Sequence, residues 1–205
     1  LHHEAGAGDS PSVGHVLNRA EAAKKLKQRL LSRLEKLDRM TLHWPKPRTL
    51  MVIGTDPLTA TGPGTVNDEL LDAAGGYNAA RGAAVTAPTL GREQLLAMNP
   101  DAIVLLDPGG EPLASNPAYD KRLTVLRGLN IPAVRDQRIA LLNDPRVFLP
   151  STNLARTAIA LAKALHPDKT QAIDEAMKLD DESDASSTDS QIGRASCRER
   201  VYCEV

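Results

Sequence analysis

Aromatic rings are nearly absent from this 205-residue chain: one Trp, one Phe and three Tyr. A core must therefore be assembled from aliphatic side chains, and few rings are available to grip a large planar ligand. There is no excess of either charge, 25 Lys and Arg standing against 26 Asp and Glu. That balance excludes the basic field on which nucleic-acid binding depends. No apolar run approaches the roughly 20 residues of a membrane span. Cysteine is confined to Cys197 and Cys203. With no His or Cys cluster around them they lack zinc spacing, and the pair supports no reading of redox compartment.

The termini carry little pattern. The chain opens Leu-His-His-Glu, without an initiator Met or the basic and apolar regions of an export signal. His2, His3 and Glu4 look like part of a metal site, but their terminal position favours a solvated end. Residues 1–12 are expected to be a stub. Lys178 to Asp189 reads KLDDESDASSTD, acidic and Ser-rich without periodicity, so residues 169–191 are expected to be a disordered tail. Ile192 to Val201 (IGRASCRERV) resembles the in-frame translation of sequencing-adapter DNA. Residues 192–205 are accordingly expected to carry no evolved function.

Between these ends the pattern is regular. From Val13 to Met40 the apolar residues step by three and four through Val16, Leu17, Ala20, Leu26, Leu30, Leu34 and Leu37, one face of a helix. Ser10-Pro11-Ser12 supplies cap chemistry at its start. Arg29, Arg33 and other charges fall on the remaining faces. A helix over 13–42 would be about 40 Å long, more than a single lobe needs, so it is expected to brace two.

Thr49–Ile53 (TLMVI), ended by Gly54, predicts a buried strand. The loop Thr55–Thr65 (TDPLTATGPGT) leads to a helix over Val66–Ala74, which Gly75-Gly76 stops. A second unit predicts a helix over Arg92–Met98 and a buried strand over Asp101–Asp107 (DAIVLLD), whose unbroken apolar centre suits a parallel sheet. Tyr119–Leu126 reads as a helix, Ile131 as the start of a short strand, Arg138–Leu142 as a strand and Leu154–Leu165 as the last helix. Alternating strands and helices predict an α/β fold: a three-layer lobe over 45–168 with a central, mostly parallel sheet, preceded by the long connecting helix.

Ligands of such lobes meet the loops at the carboxyl ends of the strands. The first candidate wall is Thr55, Asp56, Pro57, Leu58, Thr59 and Thr61, whose hydroxyls and carboxylate are suited to hydrogen bonding and Leu58 to apolar contact. The second is the loop Asn143–Asn153, where Arg146 suits a carboxylate-bearing ligand, Phe148 a planar one and Ser151 a polar one. Gly62-Pro63-Gly64-Thr65 before a helix invites a phosphate-loop reading. It lacks the Lys-Ser/Thr of a P-loop, so a tight turn is the better reading. His15, His43 and His166 are scattered. No nucleophile–base pair and no metal-ligand cluster is apparent, so catalysis has no positive case.

Four stretches in order carry a resemblance: GTDPLTATGPGTVNDELLDAAGGYNAA, PTLGREQLLAMNPDAIVLLD, LRGLNIPAVRDQRIALLNDP and STNLARTAIALAKALHP. Together they resemble the second lobe of the cobalamin- and ferric-siderophore-binding proteins of ABC importers, with the preceding helix in the place of that family's interlobe helix. The resemblance implies a C-terminal lobe whose N-terminal partner lobe and export signal are missing. It implies a periplasmic or surface-tethered receptor without covalent cofactor. Its ligand would be a metal chelate: cobalamin, a ferric siderophore or, with less support, haem. The partner would be a membrane permease, docked by an exposed Glu on each lobe, and Glu93 in Gly91-Arg92-Glu93-Gln94 matches that position. Two alternatives stand beside it: an α/β metal or tetrapyrrole enzyme of chelatase-like fold, and a gene fragment without independent function.

Overall fold

The computed structural model describes residues 20–145 and 153–178. Helix α1 (Ala20–Thr41) enters the lobe, and residues 13–19 of the expected helix lie outside the described part. The lobe then runs β1 (Arg48–Thr55), β2 (Leu58–Ala60), α2 (Val66–Ala73), β3 (Tyr77–Asn78), α3 (Arg92–Met98), β4 (Ala102–Leu106), α4 (Pro132–Arg135), β5 (Ile139–Leu142) and α5 (Leu154–Leu165). Two 3₁₀ turns, Pro117–Tyr119 and Lys121–Leu126, precede α4, and a third, Pro167–Lys169, follows α5.

The sheet is mostly parallel, as expected. β1, β4 and β5 run side by side in parallel, with Leu50 opposite Ile103 and Val104 opposite Ala140. On the other edge of β1, β3 pairs in parallel with its start, and β2 folds back antiparallel along its end.

Period-two alternation divides the core into two halves. Leu50, Val52, Ile103, Leu105 and Ile139 point to one face, where Leu95 of α3, Leu123, Leu126 and Ile131 cover them. Met51, Ala102, Val104 and Leu106 point to the other, beneath Leu37 of α1, Leu70 and Leu71 of α2, and Ala158, Leu161 and Leu165 of α5. Helix, sheet, helix: three layers. Each fully buried Leu or Ile contributes about 1.5–3 kcal/mol of transfer free energy, and no aromatic ring is among the buried members of either half.

Four expectations are corrected. Residues 58–60, read as loop, form β2, because Leu58 and Ala60 turn inward while Thr59 turns outward. Three alternating residues are too few to show a strand in a sequence. Tyr119–Leu126 is not one helix. Asp120 accepts from the backbone N–H of Arg122 and of Ala114, which holds the chain in separate 3₁₀ turns, with Leu123 outside helical geometry. Ile131 starts no strand; it is the extended cap before α4, where Pro132 occupies the first turn. Finally, the expected disorder of 169–191 does not hold for residues 170–178, which are helical and form α6. Ile173 and Met177, four apart, bury against the α1–α5 side of the sheet, and Lys36 of α1 donates to the carbonyl of Ala176 at 2.7 Å. Residues 179–191 and 192–205 lie outside the described part.

α1 and α5 run in the same direction, since Trp44, just beyond α1, meets His166, which caps the end of α5, at a ring-centroid distance of 5.0 Å. This joint is closely packed. Thr41 donates its hydroxyl to the carbonyl of Ala73 at 3.1 Å. Gly75, at φ +77°, ends α2 where a Cβ would stand 2.8 Å from Thr41 and 3.0 Å from His166. Only glycine satisfies both the left-handed backbone and that approach.

Candidate functional site

The carboxyl ends of β1, β4 and β5 converge on one rim, as their parallel order requires. At the end of β1 the chain turns through Asp56-Pro57, with Thr55 paired to Leu58 across the turn. Asp56 and Pro57 are exposed, Thr55 and Thr59 half-buried, and the Thr59 hydroxyl donates to the carbonyl of Pro57 at 3.0 Å. Leu58 and Thr61 stand elsewhere than expected. Leu58 is 4 % exposed and belongs to the core, and Thr61 is 1 % exposed, its hydroxyl without a hydrogen-bond partner. Alternation along β2 turns Leu58 behind the rim, and Thr61, just past the strand, is buried where its backbone N–H donates to the carbonyl of Met51, so the hairpin offers Thr55, Asp56, Pro57 and Thr59.

The loop after β4 forms the middle of the rim and is held by one guanidinium. Arg122 donates to Asp107 at 2.8 Å, to both carboxylate oxygens of Asp120 at 2.9 Å, and to the carbonyls of Glu111 at 2.9 Å and Pro112 at 3.3 Å. Hydrogen bonding from Arg122 holds the Asp120 carboxyl well below the usual carboxylate range, against the opposing effect of burial. The same bonds raise the guanidinium above its ordinary value. Gly110 donates to the carbonyl of Asp107 at 2.9 Å, and a Cβ there would stand 2.2 Å from the Asp107 carboxylate. The third strand is stitched on by Asn143, whose amide donates to Gly110 and whose carbonyl accepts from Gly109. Beyond it a cavity of about 220 Å³ opens between Leu141, Leu142, Asn143, Asp144 and the first turns of α5 at Asn153, Arg156 and Thr157.

Arg146, Phe148 and Ser151, the second expected wall, lie outside the described residues. The sequence reading missed the Arg122 clasp and Asn143. The Asp107-Pro108-Gly109-Gly110 turn at the end of a buried strand was the available signal; the acceptors of Arg122 are scattered over 14 positions and leave no motif.

The phosphate-loop reading is answered by geometry. Thr65 caps α2 by accepting from the Asp68 backbone. The Asp68 carboxylate itself fills the anion position, accepting from the backbone of Gly64 at 3.0 Å and from Asn78 at 2.9 Å. A tight turn with a built-in carboxylate has no room for a phosphate there. Among the described residues no group of three His, Cys, Asp or Glu could hold a metal. His43 is exposed and His166 buried, while His2, His3, Glu4 and His15 lie outside the described part. No helix of the described residues is long and apolar enough to cross a membrane.

Glu93 projects from the first turn of α3, exposed. Its neighbour Gln94 performs the capping, its side chain accepting from the Gly91 backbone at 3.0 Å. Leu90, just before α3, donates to the carbonyl of Leu58. Glu93 therefore stands at the same end of the lobe as the Asp56-Pro57 turn.

Comparison with known proteins decides the family: the periplasmic binding protein family matches residues 11–145. The chain belongs to it. The vitamin B12-binding protein of Salmonella choleraesuis is 32 % identical over 91 residues, which are 44 % of this chain and 34 % of that protein. Among solved structures, the periplasmic heme-binding protein RhuT of Roseiflexus sp. RS-1 superposes with a TM-score of 0.61 at 25 % identity, covering 75 % of this chain and 59 % of that one. A periplasmic heme-binding protein of Pseudomonas aeruginosa gives 0.58 at 27 % identity, over 75 % and 56 %. The chain thus spans about a third of the curated relative's length and somewhat over half of the solved ones. Periplasmic binding proteins are binding proteins rather than enzymes, the class that the sequence reading expected.

Proposed function

We propose that this periplasmic binding protein chain supplies one wall of the cleft in an ABC-importer receptor for a metal chelate. The observation that carries the proposal is the rim itself. Three parallel strands end together in polar loops, and the middle loop is fixed before any ligand arrives by the Arg122 and Asn143 bonds. Preorganised polar groups around an open face lose little freedom on binding, which favours affinity. Thr55, Asp56, Pro57 and Thr59 form the near wall in this proposal, and Arg146, Phe148 and Ser151, outside the described residues, are proposed for the far one. A first lobe, joined through α1, closes the cleft from the other side. The ligand is cobalamin or a ferric siderophore, held without covalent bonds. Haem is third, because the near wall offers no His, Tyr or Met as an axial ligand. The receptor works in the periplasm or tethered at the cell surface, and Glu93 registers it on the permease.

Isothermal titration of the full-length receptor with cyanocobalamin, a ferric hydroxamate and haemin tests the ligand class. Saturable binding of one of the first two is expected, weakened about tenfold or more by Asp56→Ala, the loss of one charge-assisted hydrogen bond. Binding of none of the three would remove the chelate reading.

A further inference from the structure

At the foot of the lobe, opposite the rim, a cavity of about 520 Å³ opens where the connecting helix enters. Its place follows from the strand order. Pro47, Asp101 and Arg138 line it, and each stands just before a strand, at the amino ends of β1, β4 and β5. Its volume falls in the range of about 300–1,000 Å³ in which proteins hold small ligands. The walls differ in chemistry. Trp44, Pro45, Pro47, Leu165 and Pro167 supply rings and aliphatic carbon. Trp44 is half-buried. Its ring is held by the edge contact with His166 at 5.0 Å, and the part left open lines the cavity.

The polar side is led by Arg138. One of its N–H groups donates to the carbonyl of Leu165, at the end of α5, at 2.9 Å, which holds the guanidinium at the wall and leaves its other donors uncommitted. It forms no ion pair among the described residues, although its charge acts on Asp136. The two acids of the lining are engaged elsewhere. Asp101 accepts from the backbone N–H of Arg48 at 2.9 Å, and Asp168 stands 3.4 Å from Lys169. An aromatic ring beside a fixed, forked donor suits a planar ligand that carries a carboxylate. We propose that this cavity binds a small aromatic carboxylate, its ring against Trp44 and its carboxylate on Arg138. Exposed Lys46, on the same lining, adds a second positive charge. Such a ligand touches the exit of α1, the foot of the sheet and the end of α5, so it fastens the connecting helix to the lobe. The cavity lies at the other end of the sheet from the chelate rim and stands or falls without it.

Trp44 is the one Trp of the chain, so its fluorescence reports on this cavity alone. Titration of the 205-residue chain with sodium benzoate, against sodium chloride of equal ionic strength, should give a saturable change in that fluorescence. Isothermal titration should count one benzoate per chain. Benzamide keeps the ring without the charge, and acetate keeps the charge without the ring; each should bind about tenfold or more weakly. Arg138→Gln should weaken benzoate by a similar factor. Arg135→Gln is the control, since its guanidinium pairs with the adjacent Asp136, and benzoate affinity should be unchanged. The benzamide and acetate comparison uses the parent chain and decides the matter if Arg138→Gln does not fold. Absence of a saturable change, equal affinity for benzoate and benzamide, or full affinity in folded Arg138→Gln would overturn the site.

Discussion

His166 is buried between three elements, and its burial sets a pH dependence. The ring contacts Gly75 O through Nε2 at 3.2 Å and meets Trp44 edge-on, while the charges of Asp168 and Arg138 act on it in opposite senses. Desolvation is the largest influence and lowers its pKa from 6.5, with Arg138 adding to it and the carbonyl of Gly75 and Asp168 opposing. Because the folded value is depressed, the unfolded chain takes up the proton first as pH falls. Stability should be flat above about pH 7.5 and decline below about 6.5, through the folded pKa. His166→Gln keeps a donor for Gly75, and urea unfolding at pH 8 and 5.5 should show a smaller decline than in the parent. An equal decline would assign it to other groups. Asp120 has the opposite sign in acid. Its folded carboxyl is held low, so it stabilises the lobe above about pH 4, and that contribution is lost as pH drops further. Asp120 is nearly buried and the Arg122 side chain only 15 % exposed, so Asp120→Ala leaves a guanidinium short of partners and should cost about 3 kcal/mol in urea unfolding at pH 7.

Among the elements, α1 shows what a sequence can and cannot yield. Its apolar steps were legible as a helix, and so were α3 and α5, whose structural bounds coincide with the periodic runs. Which part of that apolar face is covered was not legible. Leu37 is 1 % exposed and Leu26 44 %, although both satisfy the same period. Leu37→Ala should therefore cost 2–5 kcal/mol through its cavity, and Leu26→Ala less than about 0.5 kcal/mol, as urea midpoints of the folded chain will show. A similar loss at both positions would mean that α1 packs along its whole length. The errors share a cause. β2, β3 and the 3₁₀ turns are too short for any period, and they exist because neighbours distant in sequence complete their hydrogen bonds. Asn78 reaches Asp68 and the carbonyl of Thr61, and Arg122 gathers acceptors from Asp107 to Asp120. Of the candidate wall, the placement of Thr55 and Asp56 at the end of β1 was legible because turn chemistry follows a strand. Leu58 was misplaced because a strand of three residues decides its direction.

At the scale of the whole molecule, the lobe divides its work between two populations of charge. Ionic groups within the rim satisfy each other, as Arg122 does with Asp107 and Asp120, and these fix geometry. Glu93 is different: it is exposed, its capping duty is taken by Gln94, and it forms no ion pair among the described residues. A fully hydrated carboxylate with no structural role contributes little to folding, but it can steer a cationic partner and fix its register. Reversing it separates docking from ligand binding. In the full-length receptor, Glu93→Lys should leave the melting temperature unchanged and the chelate affinity within about twofold of the parent, since Glu93 is exposed on the first turn of α3. If Glu93 docks the permease as proposed, uptake by cells carrying that permease should fall by about tenfold or more, because the proposed charge-assisted pair would become a repulsive one. The discriminating measurement is uptake beside affinity on the same variant. If both remain normal, Glu93 is a helix-start residue and the docking face lies elsewhere; if affinity falls with uptake, the residue belongs to the cleft, and the division between rim and docking face is wrong.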